Sequence, residues 1–150
     1  MKNLIKALAC NICKALGGCL YDKPEVQPCG TISLHMASSI ILDKLEEMGC
    51  DAEIYLPDLN IKTYNLQDVK KSYELEDVSN IEYVAEITDC DDFAAKLYGR
   101  FAGLVWTQLH ALNCFISQEN KFYFIEPQTG KISEQLEGWQ GNDIRFILMR

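Results

Sequence analysis

Positive charge is scarce in this chain. Fourteen Lys and Arg stand against 22 Asp and Glu, for a formal net charge of -8 and a pI near 4.7. Lys70 and Lys71 are an isolated pair among acids, so no basic patch exists to hold phosphates. Nucleic acid and anionic lipid are therefore not expected partners. Long apolar runs are also missing. Met1 to Leu20 comes nearest, but Lys6 and Lys14 interrupt it and no signal-peptidase site is evident. Neither a membrane span nor a secretory signal is expected, which points to a cytoplasmic location. Leu4, Ile5, Leu8, Ile12 and Leu16 recur instead at helical spacing, and predict an amphipathic helix over residues 1–20 that ends at Gly17-Gly18. Internal repeats and low-complexity segments are absent.

Cysteine is plentiful, but a disulfide framework is not. Seven cysteines, an odd number, sit at spacings that suggest no pairing, so free thiols in a reducing compartment are expected. Cys50 and Cys114 adjoin apolar residues and read as small buried hydrophobes. Cys10 and Cys13, with Cys19, form one CxxC that lacks the second pair of a zinc site, and no thioredoxin-like pattern surrounds it.

The composition that remains, 48% hydrophobic and 24% charged over 150 residues, is that of one globular domain spanning 1–150. Asp22 to Gly30 reads as a loop, Thr31 to Met48 as a helix stopped by Gly49, and Ala52 to Leu56 as a short strand before Pro57. Asp58 to Asn80 reads as loop with one short helix, Leu66 to Ser72. The second half has clearer patterns. A helix opens at Cys90, capped by Thr88 or Asp89, with acids in its first turn and Phe93, Ala94, Leu97 and Phe101 on one face. Leu104 to Ile116 reads as one long strand. It turns at Gln118 to Lys121 into a second strand, Lys121 to Glu126, which Pro127 ends. Ile144 to Met149 is the last strand.

Three residues in this half suit nucleophilic catalysis. A thiol must become a thiolate to attack, and a helix N-terminus and a neighbouring imidazole both favour that form. Cys90 has the helix N-terminus, whose amides also suit an oxyanion. His110 is one of only two histidines. Antiparallel pairing about the turn sets residues whose numbers sum to about 238 opposite each other, which puts Glu126 within reach of His110. Nucleophile, base and orienting carboxylate are the parts of a thiol site. Against it stand Asp89, Asp91 and Asp92, whose charges oppose a thiolate. They are expected to face helix amides, Lys96, Arg100 or a cation. Asn113 and Gln128 are expected as polar supports, Trp106 and Trp139 as core, and Gln108 as a neighbour of His110 by parity.

Thr88-Asp89-Cys90-Asp91-Asp92-Phe93-Ala94 resembles the nucleophile-helix motif of bacterial transglutaminase-like cysteine peptidases. His110-Ala111-Leu112-Asn113, followed by Ile125-Glu126-Pro127-Gln128-Thr129-Gly130, resembles the papain-like C-terminal domain of the mushroom agglutinin-related proteins and its bacterial and phage relatives. The resemblance covers residues 83–149. It implies a papain-like α+β fold in which a nucleophile helix packs on an antiparallel sheet. It implies Cys90 as nucleophile, His110 as base and Glu126 as orienter. The activity implied is a thiol hydrolase or acyl transferase, acting on a peptide or amide bond of a peptide or protein substrate. It also offers calcium as a cofactor, with Asp89, Asp91 and Asp92 as candidate ligands. The family's oxyanion Gln before the Cys is missing, since Ala85, Glu86 and Ile87 stand there. Gln27 precedes Cys29, which makes Cys29 a rival nucleophile. The competing function is a non-catalytic phage or bacterial interaction module of the same fold.

Overall fold

The computed structural model describes residues 26–74, 82, 84 and 89–150. The expected helix over 1–20, the cysteines Cys10, Cys13 and Cys19, and the segment Ala85 to Thr88 lie outside them.

The architecture is α+β. Eight strands form one mixed sheet: β1 (Gly30–Ser33), β2 (Glu53–Tyr55), β3 (Asn60–Tyr64), β4 (Gly103–Thr107), β5 (Ala111–Ser117), β6 (Phe122–Ile125), β7 (Ile132–Ser133) and β8 (Ile144–Leu148). Three helices are described: α1 (Leu34–Met48), α2 (Leu66–Glu74) and α3 (Cys90–Tyr98). The strands run in the order β1-β3-β5-β4-β8-β2, with β6 on β5 and β7 on β6. The expected all-antiparallel sheet is corrected, because β2 pairs β8, and β3 pairs β5, in parallel. Such pairs need long crossovers, and their first strands, β2 and β3, lie in the first half, where periodicity was weak.

β5 is the centre of this sheet. Ile116 pairs with Phe122 of β6 on one side and Thr63 of β3 on the other, while Cys114 pairs with Phe124 and with Gly103 of β4. All seven residues of β5 are buried, because both faces are covered. Leu112, Cys114 and Ile116 pack with Ile41 and Leu45 of α1. Phe115 packs on the opposite face with Leu97 of α3 and Val69 of α2.

Three boundaries differ from expectation. Thr31 to Ser33 belong to β1, paired antiparallel with Ile61 and its neighbours. β-branched Thr31 and Ile32 favour a strand, and Ser33 then caps α1 by accepting from the Met36 amide at 3.2 Å. Gly49 stops α1 as expected, at φ 67. Asn60 to Tyr64, read as loop, is β3. The expected strand Leu104 to Ile116 breaks into β4, a tight turn and β5. The hairpin β5–β6 has the expected register: Asn113 faces Ile125 and Ile116 faces Phe122, each pair summing to 238.

Asn113 docks α3. The buried Asn113 Nδ2 donates to the Ala94 and Gly103 carbonyls, 2.9 Å each. Its Oδ1 has no partner among the described residues. Gly103 lies so close to β5 and β8 that a Cβ there would sit 2.8 Å from Cys114 Sγ and from the Leu148 carbonyl. Asn113→Ala is expected to lower unfolding stability by about 2 kcal/mol through the lost buried hydrogen bonds. Gly103→Ala should cost about 1–3 kcal/mol by overpacking. Urea titration checks both, and an unchanged midpoint in either variant would contradict the packing described.

Candidate functional site

Thr107 ends β4, and its buried hydroxyl organises the turn. It accepts from the amides of Leu109 (3.1 Å) and His110 (2.9 Å), and its closest acceptor is the Gln140 carbonyl at 2.6 Å. The Thr107 amide donates to the His110 carbonyl at 2.9 Å. A hydroxyl that bonds local amides competes with continued strand, which explains the break in the expected long strand. His110 thus lies in the turn just ahead of β5, not on the hairpin strand.

At the far end of β6, Pro127 stops the ladder. The Glu126 amide donates to Lys131 O, and Glu126 O accepts from Gly130, both at 2.8 Å, with Gly130 at φ 73 closing the turn. The Glu126 carboxylate is 4% exposed and meets His110, itself 7% exposed. His110 Nε2 lies 2.9 Å from Glu126 Oε2. Gln140 Nε2 donates to the same oxygen at 2.7 Å, and the Gln128 amide donates to Oε1 at 3.2 Å. Burial pushes the carboxyl up, but the hydrogen bonds from His110 and Gln140 outweigh it, so its net pKa is lowered. An ionised carboxylate requires Nε2 to carry a proton. Nδ1 is then the basic edge of the neutral ring, and it makes no hydrogen bond among the described residues.

Gln140 and Thr107 were not foreseen. Gln140 is buried in a short 3₁₀ turn, Gly138–Gln140, and its Oε1 accepts from the Glu137 amide at 2.8 Å. Gly141, at φ 85, seats that turn: a Cβ there would come within 2.8 Å of Gln108 Oε1. Gln108 does not face His110. It holds the lead into β8 by accepting from the Asp143 amide at 2.9 Å. Of the tryptophans expected in the core, Trp106 is half-buried beside Phe146. Trp139 is 54% exposed and packs against His110, with ring centroids 4.9 Å apart. Gly138 and Gly141, on either side of Trp139 and Gln140, are the local signals of this loop.

Cys90 opens α3, half-buried, with Asp89 as N-cap. At the other end of α3, Arg150 donates to Tyr98 O at 2.7 Å, and Ala94 O is held by Asn113. Running from Tyr98 through Ala94, the helix points its N-terminus toward the end of the sheet where β5 begins, the end that carries His110. Cys90 and His110 are not hydrogen-bonded to each other. The rival Cys29 is exposed, and its thiol donates to Thr63 O at 3.3 Å. Cys50 is half-buried, and burial pushes the Cys114 thiol well up.

The acids around Cys90 largely satisfy one another. Asp92 accepts from the Asp89 amide at 3.3 Å. A side-chain hydrogen bond to Asp89, then burial, raises the Asp91 carboxyl above its ordinary value. Lys96 faces the Phe93 ring, 5.8 Å from its centroid, rather than the acids. Donor atoms of Asp89, Cys90 and Asp91 lie within 4.8 Å of one another. Calcium takes six to eight oxygens, and a set of two carboxylates and a thiol does not fit it.

Glu126 sets a test. Because its folded pKa is lowered from 4.5, its contribution to stability is full above that value and is lost as pH falls through the folded value. The stability gap between the native chain and Glu126→Gln should therefore shrink on acidification below pH 4.5. Urea titrations across pH measure it, and a gap that widens on acidification would refute the ionised state.

No protein-family model and no curated protein matches the chain. Solved structures do. Polyporus squamosus lectin bound to the human-type influenza-binding epitope Neu5Aca2-6Galb1-4GlcNAc shares 21% identity at TM-score 0.63, over 79% of this chain and 49% of that one. A PSL1a-E64 complex shares 20% identity at TM-score 0.62, over 79% of this chain and 51% of that one. The chain spans about half the length of these neighbours, and the likeness shows a shared fold alone. It corrects the expected kinship with papain-like and transglutaminase-like cysteine peptidases, and the peptidase and hydrolase designations drawn from it: the first neighbour is a lectin, and no family match supports a peptidase.

Proposed function

We propose that the chain carries a thiol acyl-transfer site, with Cys90 as nucleophile, His110 as general base and Glu126 as the orienting carboxylate. The substrate class is a peptide or amide carbonyl. The observation that carries the reading is the buried Glu126 that fixes Nε2–H of His110 and leaves Nδ1 as base. In the step proposed, Nδ1 takes the Cys90 proton as sulfur attacks the carbonyl carbon. The tetrahedral adduct collapses, the C–N bond breaks, and His110 returns the proton to the leaving amine. Water or a second amine then attacks the thioester, His110 takes its proton, and the C–S bond breaks to restore the thiol. First-turn amides of α3 face the place of the oxyanion. A papain-like arrangement of helix and sheet goes with this proposal as architecture: α3 packs on β4 and β5 through Asn113, and the residues just before β5 and just after β6 supply the base and the carboxylate.

A second reading is a non-catalytic binding module. Two observations favour it: carboxylates flank the thiol, and a lectin is among the fold's neighbours. Among the described residues, no helix is long and apolar enough to cross a membrane.

Iodoacetamide separates the readings. Cys90 is expected to be alkylated faster than Cys29, Cys50 and Cys114, and His110→Ala should slow it at least tenfold, since a positioned base contributes about 10²–10⁴. E64, which the second neighbour holds in its complex, serves as a second probe. Equal labelling of Cys29 and Cys90, unmoved by His110→Ala, would refute the acyl-transfer site.

A further inference from the structure

An open cavity of about 350 Å³ adjoins the imidazole–carboxylate pair. Glu126, Gln140 and Trp139 line it, and these are the side chains that hold or touch His110. Trp139 joins it to the His110 ring, so a group seated there is one side chain away from the imidazole. We propose that the cavity is the substrate's side-chain subsite and that it takes a neutral, hydrogen-bonding side chain of the glutamine kind. This rests on the acyl-transfer reading.

The lining chooses the chemistry. Its charges are already paired: Glu137 takes both Lys131 and Trp139 Nε1, and Glu126 takes three donors. Two carboxylates against one ammonium repel an anionic side chain, and a cationic one finds both carboxylates already occupied by donors. What is unspent is neutral. Thr129 Oγ1 and Ser133 Oγ each accept from a backbone amide, at 3.4 and 3.1 Å, and their hydroxyl protons have no acceptor among the described residues. A carboxamide oxygen suits those protons, and its flat face suits the exposed indole of Trp139. A wholly apolar side chain would desolvate both hydroxyls with nothing in return.

N-acetyl thioesters of glutamine, glutamate, lysine and leucine test the assignment, with released thiol as the readout of Cys90 acylation. The glutamine thioester is expected to acylate at least tenfold faster than the other three. Thr129→Val with Ser133→Ala should flatten that preference and leave iodoacetamide labelling of Cys90 unchanged. A flat panel, a preference for lysine, glutamate or leucine, or a preference that survives the double substitution would overturn the subsite. If iodoacetamide labelling stays His110-dependent in that case, the thiol site stands without it. Labelling indifferent to His110 would overturn both.

Discussion

A buried carboxylate with three donors holds this site together. Glu126 draws on the turn before β5 through His110, on the 3₁₀ turn through Gln140, and on its own following segment through the Gln128 amide. An ionised carboxylate at that depth is costly unless its oxygens are bonded, and here the bonds outweigh the burial. The arrangement constrains each partner in turn. The imidazole must present Nε2–H inward, and Gln140 must give its amide protons to Glu126 while its carbonyl takes the Glu137 amide. Gly141 is needed because the loop carrying Gln140 passes against Gln108 without room for a side chain.

The second constraint is the burial of β5 on both faces. A strand with helices on both sides cannot shift by a residue without exposing one cluster and burying the wrong side chains in the other. Asn113 adds direction, since its amide ties α3 to the start of β4 at one point. Together these fix which end of the sheet the helix N-terminus approaches. The imidazole stands at the end of the sheet where β5 begins, because the Thr107 turn sets it there. Asp92 is turned to the helix start, where it accepts from the Asp89 amide.

Short-range chemistry determined much of this from the sequence. The turn at Gln118 to Lys121, the alternation on either side and Pro127 were enough to place the β5–β6 register, and with it the approach of His110 to Glu126. Asp89 and the first-turn acids marked the start of α3, and Gly49 marked the end of α1. Each signal acts within a few residues, so each is readable in one stretch of chain. Only the tertiary structure decided the rest. β3 exists because β1 and β5, far away in sequence, pair with Asn60 to Tyr64, and the parallel pairs of β2 and β3 have the same remote origin. Gln140 and the exposed face of Trp139 enter the site through a loop that returns from β7, and Thr107 meets it from the end of β4, with little in their own neighbourhood to announce it. A buried charge finds its donors wherever the folded chain brings them, and that choice has no local sequence pattern.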